Sequence, residues 1–150
     1  MSVSIDVSLA GARAPLGCEA IASVARGVLR REGVRSALLS IALVDRAAIA
    51  RINRRHLGHP GPTDVISFAF ARATPRDPIV GDIYIAPDVA RANARAGGVP
   101  VRNEITRLVV HGVLHILGYD HPLGEGRERS PMWRRQERLV RAFEARAPRR

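Results

Sequence analysis

Three of the five histidines fall within one short segment, at positions 111, 115 and 121. Histidines four residues apart on a helix lie on one face, so His111 and His115 can present their imidazoles to one point. Gly118 can adopt the left-handed conformation that ends a helix, after which His121 can supply a third nitrogen. Three imidazoles leave the fourth position of a tetrahedral zinc open, which is typical of catalytic sites. We therefore predict that His111, His115 and His121 are metal ligands and catalytic residues.

The metal is predicted to be zinc (Zn2+), one ion per chain, although nickel, copper and iron also accept imidazole ligands. The histidine spacing is that of the zinc motif of metzincin proteases, H-E-x-x-H-x-x-G-x-x-H. In this chain Gly112 replaces the glutamate that is the general base of those proteases, which disfavours peptide hydrolysis. Met132 is either an apolar floor beneath the metal or an ordinary core residue.

Several polar residues are candidates to assist the predicted site. Asp120 either orients a ligand imidazole or water, or bonds its local backbone as a turn residue. Glu104 falls on nearly the same helix face as His111 and either supports that histidine or forms a surface ion pair with an arginine. Thr63 and Ser67 are expected near the substrate cleft. The other polar candidates are expected at strand ends or in a solvated loop: Asp64, Asp82, His56 and His59.

Alternating and helical apolar patterns predict four strands and about five helices. The predicted strands are Val3–Leu9, Leu38–Val44, Val65–Phe70 and Ile79–Ile85, with a bulge at Gly81–Asp82. The predicted helices run from Pro15 to Gly33, from Asp45 through Ile52, from Ala86 to Ala96, from Arg102 to Leu117 and from Glu125 to Ala147. A loop is expected over His56–Pro62. Together they predict a single α+β domain over residues 1–150, a mixed sheet with packed helices, a metzincin-like zinc helix and a mobile tail at 148–150.

The charge of the chain is strongly positive. All 24 basic residues are arginine, and with 14 acidic residues they give a net charge of +10. This excess favours a polyanionic partner, most simply nucleic acid, although codon bias would also replace lysine by arginine. Cys18 is the only cysteine, which excludes a disulfide scaffold and favours a reducing compartment. We predict a cytoplasmic protein with no membrane partner, because neither a long apolar run nor a signal peptide is present.

The C-terminal segment carries much of this charge. Residues 127–150 contain nine arginines and three glutamates, a net +6, which predicts either a surface that follows an RNA backbone or a solvated helix face. Only six residues are aromatic, and most are expected to be buried, so no base-stacking platform is predicted. Contact with RNA through its phosphates is therefore expected.

One known family shares the histidine segment. The YbeY endoribonucleases are bacterial proteins linked to maturation of the 16S rRNA 3′ end and to ribosome quality control. Their signature resembles His111-Gly-x-Leu-His115-x-Leu-Gly-Tyr-Asp-His121 of this chain. Three further parts of the chain are similar to the family: Ile52-Asn53 with Pro62-Thr-Asp64-Val-Ile-Ser-Phe68, the strand Gly81-Asp82-Ile83-Tyr84-Ile85, and Glu104. The similarity extends over most of the chain, from Leu38 to Gln136.

The resemblance implies that the three histidines bind zinc in a mixed α/β domain with a cytoplasmic, ribosome-associated role. The family often has an arginine, linked to RNA contact, four residues after its asparagine. Leu57 occupies that position in this chain. Arg54 and Arg55 are the nearby candidates to replace it as catalytic residues, provided that their guanidinium groups reach a phosphate.

Two functions from different classes remain. The first is a zinc-dependent single-strand endoribonuclease in 16S rRNA 3′-end maturation and ribosome quality control. The second is a metal-stabilised rRNA-binding ribosome assembly factor with little catalysis, which Leu57 keeps open. A metallohydrolase of another ester or amide is a weaker third alternative. The expected partners are rRNA and the ribosome or its small subunit, together with a ribosomal protein or a GTPase.

Overall fold

A computed structural model of the chain describes residues 2–120 and 126–146, with side chains as far as Glu144. Its strands are β1 (Val3–Ala10), β2 (Ala37–Val44), β3 (Val65–Phe70) and β4 (Ile79–Ile85). Its α-helices are α1 (Cys18–Arg31), α2 (Arg46–Ile52), α3 (Pro87–Gly97), α4 (Val101–Ile116) and α5 (Pro131–Arg146). A π-helical turn (Asn53–Leu57) extends α2, and a 3₁₀ turn (Arg127–Arg129) precedes α5.

The four strands form one mixed sheet in the order β1-β2-β4-β3. Strands β1, β2 and β4 are parallel, and β3 runs antiparallel to β4. Alternation in β2 buries Leu39, Ile41 and Leu43 and leaves Leu38 and Ser40 exposed, as the period of a strand requires. The mixed sheet and the five α-helices of the described residues confirm the predicted α+β class.

Helix α4 is the centre of the fold. It packs against α1, α3 and α5 and against strands β3 and β4. Its inner apolar residues are buried: Ile105, Leu108, Val109, Val110, Val113, Leu114 and Ile116. Burying one Leu or Ile side chain stabilises a fold by about 1.5–3 kcal/mol. The helix is therefore a firmly anchored support for the polar side chains on its other face.

Two glycines allow α4 to lie close to β4. A Cβ atom built on Gly81 would lie 2.6 Å from Cδ1 of Ile116, and one built on Gly112 would lie 3.0 Å from Cγ2 of Ile83. Strand β4 itself pairs with β2 and β3 in an unbroken register. The predicted bulge at Gly81–Asp82 is therefore wrong, because the glycine serves close packing and not an irregular backbone.

The predicted loop over His56–Pro62 is partly wrong. Helical backbone continues beyond α2 to Leu57 and ends at Gly58, whose φ of 68° is left-handed. Asn53 supports this extension: it is buried, and its Nδ2 donates to the carbonyl oxygen of Gly61 at 3.0 Å. The amide ties the following loop back to the helical turn.

The C-terminal helix begins later than predicted. Its predicted start, Glu125, lies outside the described residues, and α5 starts at Pro131. Ser130 determines that start, since its Oγ accepts from the backbone N–H of Trp133 at 3.2 Å and a proline fits the first helical position. The predicted helix end at Ala147 and the predicted tail at 148–150 also lie outside the described residues.

The other helices lie close to their predicted positions. Asp45 caps α2 as predicted, with its Oδ1 accepting from Ala48 N at 2.8 Å. Helices α3 and α4 are shifted by one residue, whereas α1 begins at Cys18 and not at Pro15, because Gly17 is still extended. Across the described ranges, no helix combines the length and the apolar character that crossing a membrane requires.

Candidate active site

A cleft of about 1430 Å³ opens between α4, α5 and the segment that leads into β3. Helix α4 contributes Glu104, Arg107, His111 and His115, helix α5 contributes Trp133 and Gln136, and the third wall includes Thr63, Asp64 and Val65. Small-molecule pockets measure about 300–1,000 Å³. The cleft exceeds that range because it is wide and open to solvent.

His111 and His115 lie one turn apart on α4, and both line the cleft. Their ring centroids are 4.6 Å apart, and the two ring planes are inclined by 74°. This is the juxtaposition that the four-residue spacing predicts. Gly112 lies on the buried side of the same helix against Ile83, so a side chain at the position of the metzincin glutamate would meet the sheet and not the cleft.

The third predicted ligand, His121, lies outside the described residues. Within residues 2–120 and 126–146, no three His, Cys, Asp or Glu side chains are grouped closely enough to hold a metal ion. Gly118 has a φ of 102°, as predicted for the residue that ends α4, and Asp120 lines the cleft. Two adjacent imidazoles that face an open cleft fit the donor chemistry of zinc.

Gln136 contacts this pair directly, although sequence reasoning misses it. Its side chain is 2% exposed, and its Oε1 lies 2.7 Å from Nδ1 of His111. Its Nε2 donates to Oε2 of Glu137 at 3.1 Å. The available signal is spacing: Gln136 follows Met132 by four residues and so falls on the inward face of α5. A polar residue at such a position needs a partner in the core.

Arg107 joins α4 to α5 beside the histidines. Its Nε and Nη2 donate to the two carboxylate oxygens of Glu137 at 2.9 and 3.0 Å, and its Nη1 lies 3.6 Å from Oε2 of Glu104. Burial acts to raise the pKa of Glu137, but hydrogen bonds from Arg107 and Gln136 outweigh burial and lower that pKa. The hydrogen bond to Glu137 in turn raises the pKa of Arg107. Arg107 therefore supports the cleft wall through carboxylate partners.

The pKa of Glu104 is raised, whereas that of Glu137 is lowered. Burial is the main cause of the raised pKa of Glu104. The positive charge of Arg107 acts to lower this pKa, and the negative charges of Asp64 and Glu137 raise it further. Its contact with Arg107 confirms the alternative of an arginine partner, but the pair lies in the cleft and not on an open surface. Since Asp64 also lines the cleft, acidic groups lie near the two imidazoles.

Of the polar residues predicted near β3 and β4, Thr63 and Asp64 line the cleft, and Ser67 and Asp82 do not. Thr63 lines the cleft as expected, and Asp64 beside it accepts from Nδ2 of Asn93 at 3.3 Å. Ser67 lies within β3 and is not among the residues that line the cleft. Asp82 lies in the middle of β4, so the prediction that it ends a strand is wrong. The strand continues because the residues on either side of this aspartate are buried in the core.

The two arginines predicted as catalytic do not line the cleft. Arg54 and Arg55 are exposed on the π-helical turn. Leu57 ends the same turn, lines the cleft and is 46% exposed. His56 is exposed as expected, and its ring contacts Phe68 edge-on with centroids 5.5 Å apart. The position where the family often has an arginine therefore reaches the cleft, and an apolar side chain occupies it.

Trp133 and two arginines form the α5 side of the cleft. Arg127, Arg129 and Trp133 all line it, and Cζ of Arg127 lies 6.0 Å from the centroid of the indole. One of the six aromatic residues thus reaches the cleft, and the prediction that no base-stacking platform is present stays a prediction. Met132, by contrast, is 1% exposed and packs in the main core with Leu139, as an ordinary core residue does.

The end of α4 is tied to α1 and α5. The hydroxyl of Tyr119 donates to Oε1 of Glu32 at 3.1 Å, and Nε of Arg135 donates to the same oxygen at 3.0 Å. Burial raises the pKa of Tyr119, and the hydrogen bond to Glu32 adds to that shift. These contacts hold the backbone immediately before Asp120 in place.

Known proteins resemble this chain over most of its length. The family model described as endoribonuclease YbeY matches residues 17–144. The chain is 40% identical over 134 residues to endoribonuclease YbeY of Kineococcus radiotolerans, covering 84% of this chain and 76% of the relative. The corresponding protein of Mycolicibacterium paratuberculosis is 41% identical over 128 residues, with 79% and 71% covered. That of Syntrophus aciditrophicus is 32% identical over 142 residues, with 93% and 89% covered.

A solved structure shows the same fold. The solution structure of TM1509 from Thermotoga maritima matches with a TM-score of 0.63 at 23% identity, covering 94% of this chain and 89% of that chain. The matched family model includes both described cleft histidines, all of α1 to α4 and α5 as far as residue 144. From these matches we conclude that the chain belongs to the endoribonuclease YbeY family.

Proposed function

We propose that this protein is a zinc-dependent single-strand endoribonuclease that acts in 16S rRNA 3′-end maturation and ribosome quality control. The observation that carries the proposal is the pair of cleft-facing imidazoles, His111 and His115, in a chain of the endoribonuclease YbeY family. The proposed partners are rRNA and the ribosome or its small subunit in the cytoplasm. A ribosomal protein or a GTPase is the proposed recruiting partner.

The donor chemistry supports one zinc ion per chain. His111 and His115 offer imidazole nitrogens from one face of a buried helix, and His121 is the proposed third ligand. When bound, zinc supplies a Lewis acid for the scissile phosphate and a hydroxide at neutral pH. The chain itself holds the imidazoles in place, and Asp120, which lines the same cleft, is proposed to orient a ligand or the attacking water.

The lining of the cleft supports RNA as the substrate. Arg127 and Arg129 carry N–H donors that suit phosphate oxygens, whereas Arg107 is already bound by Glu137. Trp133 offers a ring on which an unpaired base can stack. Stacking of this kind requires a splayed base, so the lining favours a single strand over a duplex.

Metal analysis combined with an RNA cleavage assay tests the proposal. Wild-type protein purified without chelator is expected to contain stoichiometric zinc and to cleave single-stranded RNA. His115→Ala should lose both properties, whereas His59→Ala should keep both, because His59 is exposed in a loop and does not line the cleft. Wild-type protein without bound metal, or cleavage by His115→Ala at the wild-type rate, would contradict the proposal.

A metal-stabilised rRNA-binding assembly factor with little catalysis is the second candidate. Leu57 favours it, because an apolar side chain lines the cleft where the family often has an arginine. Stoichiometric zinc and tight RNA binding without wild-type cleavage would support this candidate over the nuclease.

A further inference from the structure

Gln136 is a buried polar side chain between α4 and α5, where each half of its amide needs a partner. Its carbonyl oxygen lies 2.7 Å from Nδ1 of His111, and its amide nitrogen lies 3.1 Å from Oε2 of Glu137. It is the only glutamine in the chain and is 2% exposed. Helix α5 thus reaches the imidazole that lines the cleft through one buried amide.

The partners determine which way this amide points. An ionised carboxylate only accepts hydrogen bonds, so the NH₂ group of Gln136 faces Glu137 and the carbonyl oxygen faces His111. Arg107 holds the same carboxylate through two N–H donors at 2.9 and 3.0 Å, which fixes its orientation. Because a carbonyl oxygen only accepts, Nδ1 of His111 must carry the hydrogen and donate it.

We propose that Gln136 is a positioning residue that holds His111 in the Nδ1–H tautomer, in which Nε2 is the unprotonated nitrogen that a metal would bind. Arg107 and Glu137 act through Gln136 by fixing its amide. The part of this inference that concerns metal binding by His111 rests on the proposed function. An amide at this position supplies the acceptor without placing a second buried carboxylate beside Glu137, which like-charge repulsion would disfavour.

The tautomer of His111 in the metal-free protein tests the inference directly. Long-range ¹H–¹⁵N correlation spectra at about pH 8, where histidines of ordinary pKa are neutral, distinguish Nδ1–H from Nε2–H. Wild type is expected to show Nδ1–H at His111, assigned by its absence from His111→Ala. Gln136→Met removes the acceptor at similar volume and should shift His111 toward Nε2–H. Gln136→Leu, a second variant without an acceptor, should shift His111 in the same direction.

Zinc affinity provides the second measurement. Loss of a group that orients a metal-binding histidine weakens metal binding by about 10- to 100-fold. Chelator competition should show a loss of that size in Gln136→Met and in Gln136→Leu. Ser130→Ala is the matched control, since it removes the cap of α5 and destabilises the same helix without touching His111. It should leave both the tautomer and the zinc affinity unchanged.

The outcomes separate this inference from the proposed function. Nε2–H at His111 in the wild type, or an unchanged tautomer in Gln136→Met, would overturn the role of Gln136 whatever zinc does. If Gln136→Met fails to fold, the spectra of wild type and Gln136→Leu decide, because Nε2–H in the wild type or an unchanged tautomer in Gln136→Leu overturns the role, whereas Nδ1–H in the wild type with a shift in Gln136→Leu supports it. A wild type that has the expected tautomer but binds no zinc would overturn the proposed function alone.

Discussion

The arginines around the cleft differ in their surroundings. Arg107 is bound by two carboxylates, Arg127 lies over the Trp133 ring, and Arg54 is exposed outside the cleft lining. The number of guanidinium groups that can bind a phosphate in the cleft is therefore far smaller than the net charge of +10 implies. Leu57 reduces the positive charge of the cleft further, because an apolar side chain lines the cleft at this position.

Leu57→Arg is expected to strengthen the binding of single-stranded RNA. Leu57 is 46% exposed and lines the cleft, so a guanidinium there can reach a phosphate without disturbing the core. One added phosphate contact should steepen the slope of log K against log salt by about 0.7. Anisotropy titrations at several salt concentrations measure the slope, with Leu57→Met as the uncharged control. An unchanged slope would mean that RNA does not approach this wall.

Trp133→Ala should weaken the binding of single-stranded RNA by roughly 5- to 150-fold, since one base stacked on an aromatic ring contributes about 1–3 kcal/mol. The salt slope should not change, because no charge is removed. Trp133→Phe keeps a ring and should retain most of the affinity. Titrations of a single strand and a matched duplex check the effect. An equal loss for both RNAs would argue against stacking in the cleft.

The ion pair of Glu137 and Arg107 should make stability depend on pH. The pKa of Glu137 is lowered in the fold from its ordinary 4.5, so its contribution is present above that value and is lost as the pH falls through the lowered one. Glu137→Gln should therefore be less stable than wild type at neutral pH, and the difference should shrink below pH 4.5.

Urea unfolding from about pH 7 to about pH 3 measures this difference in the free energy of unfolding. Asp88→Asn is the control, because Asp88 pairs with Arg91 at 3.0 Å while its side chain is 61% exposed. Exposed pairs of this kind contribute little to stability. A gap between wild type and Glu137→Gln that is the same at every pH would contradict the role assigned to the pair.

Among the secondary-structure elements, those with strong periodicity were predictable. The apolar alternation of β2 and the helical pattern of α4 each depend on neighbouring residues, and both elements lie within a residue of the prediction. Gly81 was not predictable in the same way. A glycine within a strand indicates either a bulge or a close approach. Gly81 allows a close approach because it packs against Ile116, and Ile116 lies far away in the sequence.

In the candidate site too, contacts within one helix were predictable from the sequence and contacts between helices were not. Local spacing is enough to bring His111 and His115 together, because one helix carries both. The contact of His111 with Gln136 joins two helices, and it depends on the rotation of α5 against α4. No pattern within either helix specifies that rotation. Sequence reasoning therefore finds the imidazoles and misses the amide that supports one of them.

Gly81→Ala should destabilise the packing of α4 on β4. The added methyl group would lie 2.6–2.9 Å from three side-chain atoms of Ile116, two of which are close to its backbone. Overpacking of this kind costs about 1–3 kcal/mol. Adding Ile116→Ala should make the double variant more stable than the sum of the two single effects predicts. Chemical unfolding of all four proteins measures the coupling, and strict additivity would show that the two side chains do not meet.

The molecule as a whole distributes its charge unevenly. The cleft lining combines three arginines with four carboxylates, those of Asp64, Glu104, Asp120 and Glu128. Outside the cleft, three exposed arginines on α5 are spaced by four and three residues and so form one face, the α5 stripe: Arg134, Arg138 and Arg141. Arg134 directly follows Trp133 in the sequence, and we expect an RNA strand that enters the cleft to pass on to the stripe. We therefore expect most of the electrostatic affinity to come from α5 and less from the cleft.

Changing all three arginines of the α5 stripe to glutamine should weaken RNA binding and reduce the salt slope by up to about 2, at about 0.7 for each lost phosphate contact. The matched control removes the same charge from three exposed arginines in the C-terminal half of α1 and after its end: Arg26, Arg30 and Arg35. That control should lose much less affinity, since charges further than about 8 Å from the RNA are screened at physiological salt. Equal losses in the two variants would mean that net charge, and not its position along α5, governs the approach of RNA to the histidines.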